Sequence, residues 1–156
     1  MTRHPVRVAE VGDAPEVALM LHDFNTEFDT PSPGPDVLAA RLQQLLAGPD
    51  TFAILAGSPA VAVAMVTLRT NVWVEGAVAL LDELYVVPEL RGHGIGATVV
   101  ELLVASCRER GVDLIEINVD EADVDAQRFY ERHGFSGVQP DTGERAFYYS
   151  QELTPG

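Results

Sequence analysis

Residues 81–97 read LDELYVVPELRGHGIGA, and this stretch decides the fold. Its first half is an apolar, β-rich run that ends at Pro88, and its second half is a glycine-rich turn over residues 91–96. A helical pattern follows, because apolar residues recur at the spacing of one helix face: Val100, Leu103, Val104 and Cys107. The stretch therefore predicts a strand, a turn and a helix in immediate succession.

The glycine-rich turn has the composition of an anion-binding site. Glycines let the backbone approach a ligand closely, and the first N–H groups of a helix have no helical acceptor. The helix dipole adds positive potential, and Arg91 adds a full charge, so the turn is a candidate site for a pyrophosphate. It is not a Walker loop, because GK[ST] is missing, and it is not the GxGxxG of a dinucleotide fingerprint.

The rest of the chain has an order of elements typical of a mixed α and β domain. A short strand at Val6 and Val8 precedes two helices, the first capped by Asp13 and the second starting at Asp36. The second helix is expected to face inward through Leu38, Leu42 and Leu45. Residues 51–56, 60–68 and 77–87 are expected to form an antiparallel meander.

A second strand, helix, strand unit follows the meander. The strand at residues 113–119 is expected to lie parallel to the strand before the turn, because a helical crossover joins parallel strands. A further helix carries apolar and aromatic residues on one face, and residues 146–153 are expected to close the chain as a strand. The residues of that helix face are Ala126, Phe129, Tyr130 and His133.

Composition narrows the class of protein. The 156 residues are 47% hydrophobic, which predicts one globular domain over residues 1–156. Ten Lys and Arg against 24 Asp and Glu leave a net charge of −14, which disfavours nucleic acid and membrane surfaces as partners. The single cysteine and the lack of a secretory leader favour a cytoplasmic protein, and no metal site is predicted because no metal-ligand spacing occurs.

These motifs together resemble the GNAT superfamily of N-acetyltransferases. The family pattern of Arg or Gln, two residues, Gly, one residue, Gly or Ala falls on Arg91, Gly94 and Gly96. The preceding LxVxP begins at Leu84, and AxxFYxxxGF begins at Ala126. The resemblance implies the GNAT fold, a mixed and mostly antiparallel sheet with one splayed parallel strand pair, flanked by helices.

The resemblance also implies that acetyl-coenzyme A binds where the strands at residues 81–87 and 113–119 splay apart. Main-chain groups of Tyr85, Val86 and Val87 would pair with the pantetheine arm, and N–H groups of the turn would hold the pyrophosphate. The implied turn residues are Arg91, Gly92, His93, Gly94, Ile95, Gly96 and Ala97.

The helix after the second parallel strand is implied to contribute Asp123 and Tyr130 to the coenzyme site. Two residues depart from the family pattern, since Asp123 stands where many members have Asn and His93 where many have Arg or Lys. Asp123 can still cap its helix, but an amide donor to the coenzyme is lost. A neutral His93 attracts phosphate less than Arg or Lys does.

Two groups are implied to assist the chemistry around the thioester. Tyr130 stands where family members often keep a tyrosine that protonates the departing thiolate, and plain core packing of its ring is the alternative. The Val87 amide is the implied donor to the oxyanion.

Glu83 is the expected general base that takes a proton from the attacking amine. By alternation along the strand, Glu83 faces the same side as Leu81 and Tyr85. Asp82, on the opposite face, and a chain of water molecules are alternatives to Glu83 as the base, and a salt-bridged Glu83 without a catalytic role is another.

The acceptor is expected to be a primary amine of a small molecule or peptide. Phe24, Glu27 and Phe28 could hold its cation through charge and ring faces, with solvated helix-end charge as the alternative. A homodimer is expected from the family. Two rival functions stay open, a non-catalytic acyl-coenzyme A sensor and a metabolite-binding module unrelated to acyl transfer.

Overall fold

The computed structural model describes residues 4–153, and these fall into two compact units. The first unit ends at Ile117, and the second begins at Asn118. The single domain expected over residues 1–156 stays a prediction. No helix within residues 4–153 is both long enough and apolar enough to cross a bilayer.

The first unit is built on a five-stranded sheet whose strands lie in sequence order. Neighbouring strands are antiparallel up to β4, and β4 and β5 are parallel. Both the meander and the parallel pair are therefore confirmed. The strands are β1 (Val6–Val8), β2 (Thr51–Ala56), β3 (Ala62–Arg69), β4 (Ala77–Val86) and β5 (Val112–Ile117).

Helices α1 (Ala14–Glu27) and α2 (Pro35–Ala47) pack together against one face of this sheet. Leu42 is buried in that cluster, but Leu45 is 48% exposed, so its predicted inward position is wrong. Leu46 packs against the cluster instead, because a stripe that repeats every four residues continues from Leu42 to Leu46. The buried members of the cluster are Ala14, Val17, Ala18, Met20, Leu42, Ala53, Leu55, Val63, Met65 and Tyr85.

Asp13 precedes α1, but its side chain does not cap the helix as expected. Its carboxylate accepts two hydrogen bonds from Arg7, at 2.6 and 2.9 Å, and one from the Glu10 N–H at 2.7 Å. These bonds lower the pKa of Asp13 to about 2, with Arg7 as the largest cause. Asp13 therefore ties β1 to the turn before α1.

Helix α3 (Ile95–Glu109) crosses between the two parallel strands and contacts all five strands. Its buried face includes Val99, Val100, Leu103 and Cys107, as its spacing predicts. The chain leaves the helix at Gly111, which has a φ of 72° that disfavours other residues. The Gly111 carbonyl then accepts from the N–H of Ala77 at 3.1 Å, which joins the starts of β4 and β5.

The second unit contains helix α4 (Val124–Arg132) and a short bridge between Val138 and Arg145. The Asp123 side chain accepts from the Ala126 N–H at 3.1 Å, which confirms its predicted role as a helix cap. The last predicted strand is wrong for the described residues 146–153, which form no ladder. Their three consecutive aromatic residues favour a strand, but a strand also needs a partner to bond its backbone groups.

Candidate active site

The two halves of β4 have different neighbours. Residues 77–81 pair with β5, from Ala77 opposite Val112 to Leu81 opposite Ile117. Within the described part of the first unit, residues 82–86 pair with β3 alone, so one of their edges is open there. The family resemblance implies that the ligand gap lies at this edge.

A β-bulge lies where the parallel pairing stops. Glu83 is opposite Met65 and Leu81 is opposite Val66, so Asp82 is an extra residue in β4. Cross-strand partners share a face of the sheet, and Met65 and Val66 point to opposite faces. Glu83 therefore faces the α1 and α2 side, as Met65 does, and the prediction that it shares a face with Leu81 is wrong.

The bulge also changes the position of Asp82. Its carboxylate accepts a hydrogen bond from the Thr67 hydroxyl at 2.5 Å, and Thr67 lies on the same face of β3 as Met65. The Asp82 carboxylate thus lies on the Glu83 side, not on the opposite face as expected. Two neighbouring carboxylates are brought together at the open edge.

Glu83 is half-buried in this position. Loss of water around its carboxylate raises its pKa above the usual range, and the negative charge of Asp82 raises it further. Such a carboxylate holds a proton more readily than an exposed one does.

The backbone of β4 alternates between its two edges. The Val87 N–H donates to the Val61 carbonyl at 2.9 Å, so by the alternation of an antiparallel ladder Tyr85 also bonds β3. Leu84 and Val86 then direct their N–H and C=O groups to the open edge. Val87 as the oxyanion donor and Tyr85 as a main-chain partner of the ligand are therefore contradicted by this ladder.

Leu84 is a residue that sequence reasoning missed. The spacing of two between Leu84 and Val86 in LxVxP was a usable signal, because residues two apart point their backbone groups to the same edge. Choosing between the two possible edges required the pairing with β3.

The turn before α3 presents a row of backbone donors. Gly92 and Gly94 have φ angles of 80° and 83°, which other residues rarely adopt, and Gly94 is the N-cap of α3. Within the described chain, the N–H groups of residues 92–97 have no protein acceptor. The first bond of the helix runs from the Thr98 N–H to the Gly94 carbonyl at 3.2 Å. Six consecutive donors at a helix N-terminus can surround a phosphate.

Arg91 occupies a different position from the one its sequence suggests. Its guanidinium binds both carboxylate oxygens of Glu27, at 2.9 and 2.8 Å, and its Nε donates to the Val86 carbonyl at 3.0 Å. Its Cζ lies 5.9 Å from the ring centroid of Phe28. The positive charge predicted for the phosphate is thus paired within the protein, and the Glu27 charge predicted for the acceptor is paired with it.

Tyr130 lies in the second unit, on α4. Its ring is edge-on to those of Phe129 and Phe135, with centroid distances of 5.2 and 5.8 Å. The ring therefore contacts two aromatic neighbours within that unit, and its packing in a core stays a prediction. Its role as an acid, and those of Asp123 and Tyr130 toward the coenzyme, stay predictions.

The first unit therefore offers one chemically continuous surface. Strand-like donors and acceptors at Leu84 and Val86 suit an extended amide chain, and the donors of residues 92–97 suit a diphosphate. A carboxylate with a raised pKa lies on the same stretch of β4. These groups fit a long ligand with a phosphate end and a reactive carbonyl end.

Comparison with known sequences points to one family. Residues 17–135 match the family model described as the Acetyltransferase (GNAT) family. A mycothiol acetyltransferase from Thermobispora bispora is 39% identical over 71 residues, which cover 44% of this chain and 24% of that protein. A second, from Propionibacterium freudenreichii subsp. shermanii, is 36% identical over 64 residues, or 39% of this chain and 20% of that protein. The matches span a quarter or less of these relatives' length.

Comparison with solved structures extends over almost the whole chain. A candidate acetyltransferase from Arthrobacter sp. FB24 has a TM-score of 0.91 and 49% identity, with 98% of each chain covered. An aminoglycoside acetyltransferase from an uncultured soil metagenomic sample, solved with sisomicin, has a TM-score of 0.77 and 18% identity, covering 96% of this chain and 97% of that chain. The second likeness is one of fold alone, and the predicted fold is confirmed.

Proposed function

Because the chain belongs to the GNAT acetyltransferase family, we propose that it transfers the acetyl group of acetyl-coenzyme A directly to a primary amine. The acceptor in this proposal is a small molecule or a peptide. The observation that carries the proposal is the line of main-chain donors from the open edge of β4 to the turn before α3. Both parts of the line match chemical groups of the same ligand.

The residues of the first unit fit acetyl-coenzyme A along its length. Leu84 and Val86 would bond the pantetheine arm as a neighbouring strand would, and residues 92–97 would bond the pyrophosphate. The bound coenzyme supplies an acetyl group activated as a thioester. The Leu84 N–H takes the place of Val87 as the proposed donor to the thioester oxygen, since the Val87 N–H already bonds Val61.

Glu83 is the proposed general base. A primary amine is mostly protonated at neutral pH, and it must lose a proton before its lone pair can attack a carbonyl carbon. A carboxylate whose pKa is raised by burial accepts that proton more readily than an ordinary one. Asp82 lies on the same side and can hold the amine close by charge.

Tyr130 is proposed, on the family resemblance, as the acid that protonates the departing sulfur. The variant Tyr130→Phe removes one hydroxyl and keeps the ring. We expect turnover to fall about 100-fold while acetyl-coenzyme A affinity is unchanged. Unchanged turnover would end this role, and equal losses of binding and turnover would make Tyr130 a binding residue.

The acceptor panel follows from the relatives and from the charge of the chain. Mycothiol acetyltransferases are among the matched proteins, which supports a small-molecule acceptor. A net charge of −14 favours cationic ones. Aminoglycosides, amino sugars, diamines and short peptides with a free N-terminus form a suitable panel.

The function is tested by calorimetric titration with acetyl-coenzyme A and by thiol release across that panel. We expect binding, and turnover with at least one amine class. Binding without turnover on any amine would favour the sensor function, and absence of both would overturn the proposal.

A matched pair of variants tests whether the turn before α3 binds acetyl-coenzyme A. In Gly94→Asp, a residue that tolerates positive φ brings a negative charge into the turn, and binding should weaken at least about tenfold. Gly111→Asp makes the same change at a positive-φ glycine at the other end of α3 and should leave binding within about twofold.

A further inference from the structure

Glu27 is the last residue of α1, and the function proposed above does not use it. Sequence reasoning expects it to bind the acceptor amine. We propose instead that Glu27 is a positioning residue for the coenzyme, because it holds Arg91 and thereby the phosphate-binding turn in the conformation that binds. This inference rests on the proposed acetyl-coenzyme A site, and it gives Glu27 the role of holding that site in its binding conformation.

The Glu27 carboxylate has little capacity left for a ligand. Arg91 occupies both of its oxygens in a forked pair. Its pKa is lowered, with the hydrogen bond from Arg91 as the largest cause, so Glu27 stays ionised in this pair. An additional ammonium group would have to compete with a guanidinium that is already bound in two places.

Arg91 connects this carboxylate to β4. While two of its nitrogens bind Glu27, its Nε donates to the Val86 carbonyl at 3.0 Å. Val86 is one of the two residues whose backbone faces the open edge. The guanidinium therefore joins the end of α1 to the part of β4 that would bind the pantetheine arm.

Aromatic rings lie beside the Glu27–Arg91 pair. The Arg91 Cζ lies 5.6 Å from the ring centroid of Tyr85 and 5.9 Å from that of Phe28. The Tyr85 ring in turn stacks on Phe24, with a centroid distance of 5.1 Å. Both rings lie close enough to the guanidinium to favour its position beside Glu27.

The position of Arg91 matters because Gly92 follows it directly. Glycines at positive φ lose more conformational freedom on ordering than other residues do, and the turn contains two of them. α3 holds the turn at its C-terminal end through the bonds of Thr98 to the Gly94 carbonyl. The Glu27–Arg91 pair supplies the matching anchor at the N-terminal end, so the ligand does not have to order the turn.

The test compares Glu27→Gln and Arg91→Lys with the wild type. Calorimetry gives the Kd of acetyl-coenzyme A, and steady-state kinetics gives KM for each substrate. We expect both variants to raise the Kd and KM for acetyl-coenzyme A about five- to tenfold, with KM for the acceptor within about twofold of wild type. Arg91→Lys keeps the charge but loses the fork, so a similar loss there means that the geometry of the fork matters.

The double variant adds a readout that general destabilisation would not produce. If Glu27 acts through Arg91, the double variant should bind acetyl-coenzyme A about as weakly as either single one. If the losses of affinity in the two single variants multiply in the double variant, the proposal is overturned. Glu109→Gln, which removes the same charge from the last turn of α3, should bind as the wild type does and controls for net charge.

The outcomes separate this inference from the function on which it rests. A raised acceptor KM with unchanged acetyl-coenzyme A affinity in Glu27→Gln would overturn the inference and return Glu27 to the acceptor site. An unchanged Kd in both single variants would also overturn it. Wild-type protein that does not bind acetyl-coenzyme A would overturn the proposed function itself. If Glu27→Gln does not fold, Arg91→Lys alone decides, by the same two constants.

Discussion

The two halves of β4 differ both in sequence and in surroundings. Residues 77–81 are paired on both edges, by β3 and by β5, and are mostly buried. Residues 82–86 are paired on one edge and carry Asp82, Glu83 and the open backbone groups of Leu84 and Val86. One strand therefore serves as sheet interior in its first half and as a ligand-binding edge in its second.

The difference comes from a single extra residue. At Asp82 the β3 register shifts, the parallel pairing with β5 ends, and the side chains after it change faces. Backbone groups that would bond β5 become available for a ligand without any loss of pairing to β3. Opening a strand at a bulge thus provides binding groups while the core stays intact.

The first half of β4, residues 77–81, is the closed half, and it depends on the close approach of β4 and β5 at their starts. A Cβ on Gly76 would lie 2.2 Å from the Gly111 carbonyl oxygen, so Gly76→Ala must move β4 away from the start of β5. We expect the free energy of unfolding, measured by urea denaturation, to fall by about 3 kcal/mol.

Gly12→Ala is the control, since a Cβ there has nothing within 4 Å. It should change stability by less than about 0.5 kcal/mol. Similar stability of the two variants would show that the closed half tolerates opening.

Glu83→Gln tests the open half as a chemical site. Thiol release should fall about 100-fold with a primary amine that is protonated at neutral pH, because the group that takes its proton is lost. The unfolding free energy at pH 7 should not fall. The pKa of Glu83 is higher in the folded protein than in the unfolded chain. Such a carboxyl stabilises the fold at a pH below its unfolded pKa, and this stabilisation is lost as the pH rises through the folded-state pKa. At pH 7 the ionised Glu83 therefore destabilises the fold. Full activity in this variant would remove Glu83 from the mechanism.

Leu84→Pro removes one N–H from the open edge and no bond to β3. Acetyl-coenzyme A binding should weaken about tenfold, which is the loss of one well-placed hydrogen bond. Leu84→Ala separates the effect of the side chain. Tyr85→Pro removes an N–H that bonds β3 and should fail to fold, as judged by circular dichroism. Equal behaviour of the two proline variants would refute the assignment of edges.

Asp82→Asn should have the smallest effect and the most specific one. The charge of Asp82 raises the pKa of Glu83, so its removal lowers that pKa. The acid limb of the kcat/KM profile should move to lower pH, by a fraction of a unit to about one unit. If the acid limb moves to higher pH, another group causes it. The same follows if the limb does not move although activity still requires Glu83.

The local sequence pattern was sufficient to predict most helices and strands and the turn before α3. The apolar periods predicted β2, β4 and α3 closely, and the glycines at 92 and 94 predicted a turn with free N–H groups. Both are properties of short segments, which is why one sequence could predict them. The misplaced Leu45 was a choice between adjacent stripes of one helix. Residues 146–153 have the composition of a strand but form no ladder within the second unit.

The arrangement of side chains at the site was beyond local pattern. Residues 81–85 read LDELY, and the sequence alone does not show which of these residues is the extra one. The bulge exists because β3 has one residue fewer between the two pairing regions. Likewise Arg91 reads as a phosphate ligand until its partner Glu27, 64 residues earlier in the chain, is known.

The sequence by itself determined the family, the order of strands and helices, and the donor-rich turn at the start of α3, because each depends on residues that are neighbours in the chain. Tertiary structure alone decided which edge of β4 is open, which face Glu83 and Asp82 occupy, and which group neutralises Arg91. These are properties of pairs that lie far apart in sequence. Register and charge pairing are set by the partner strand or helix, and a single strand does not carry that information.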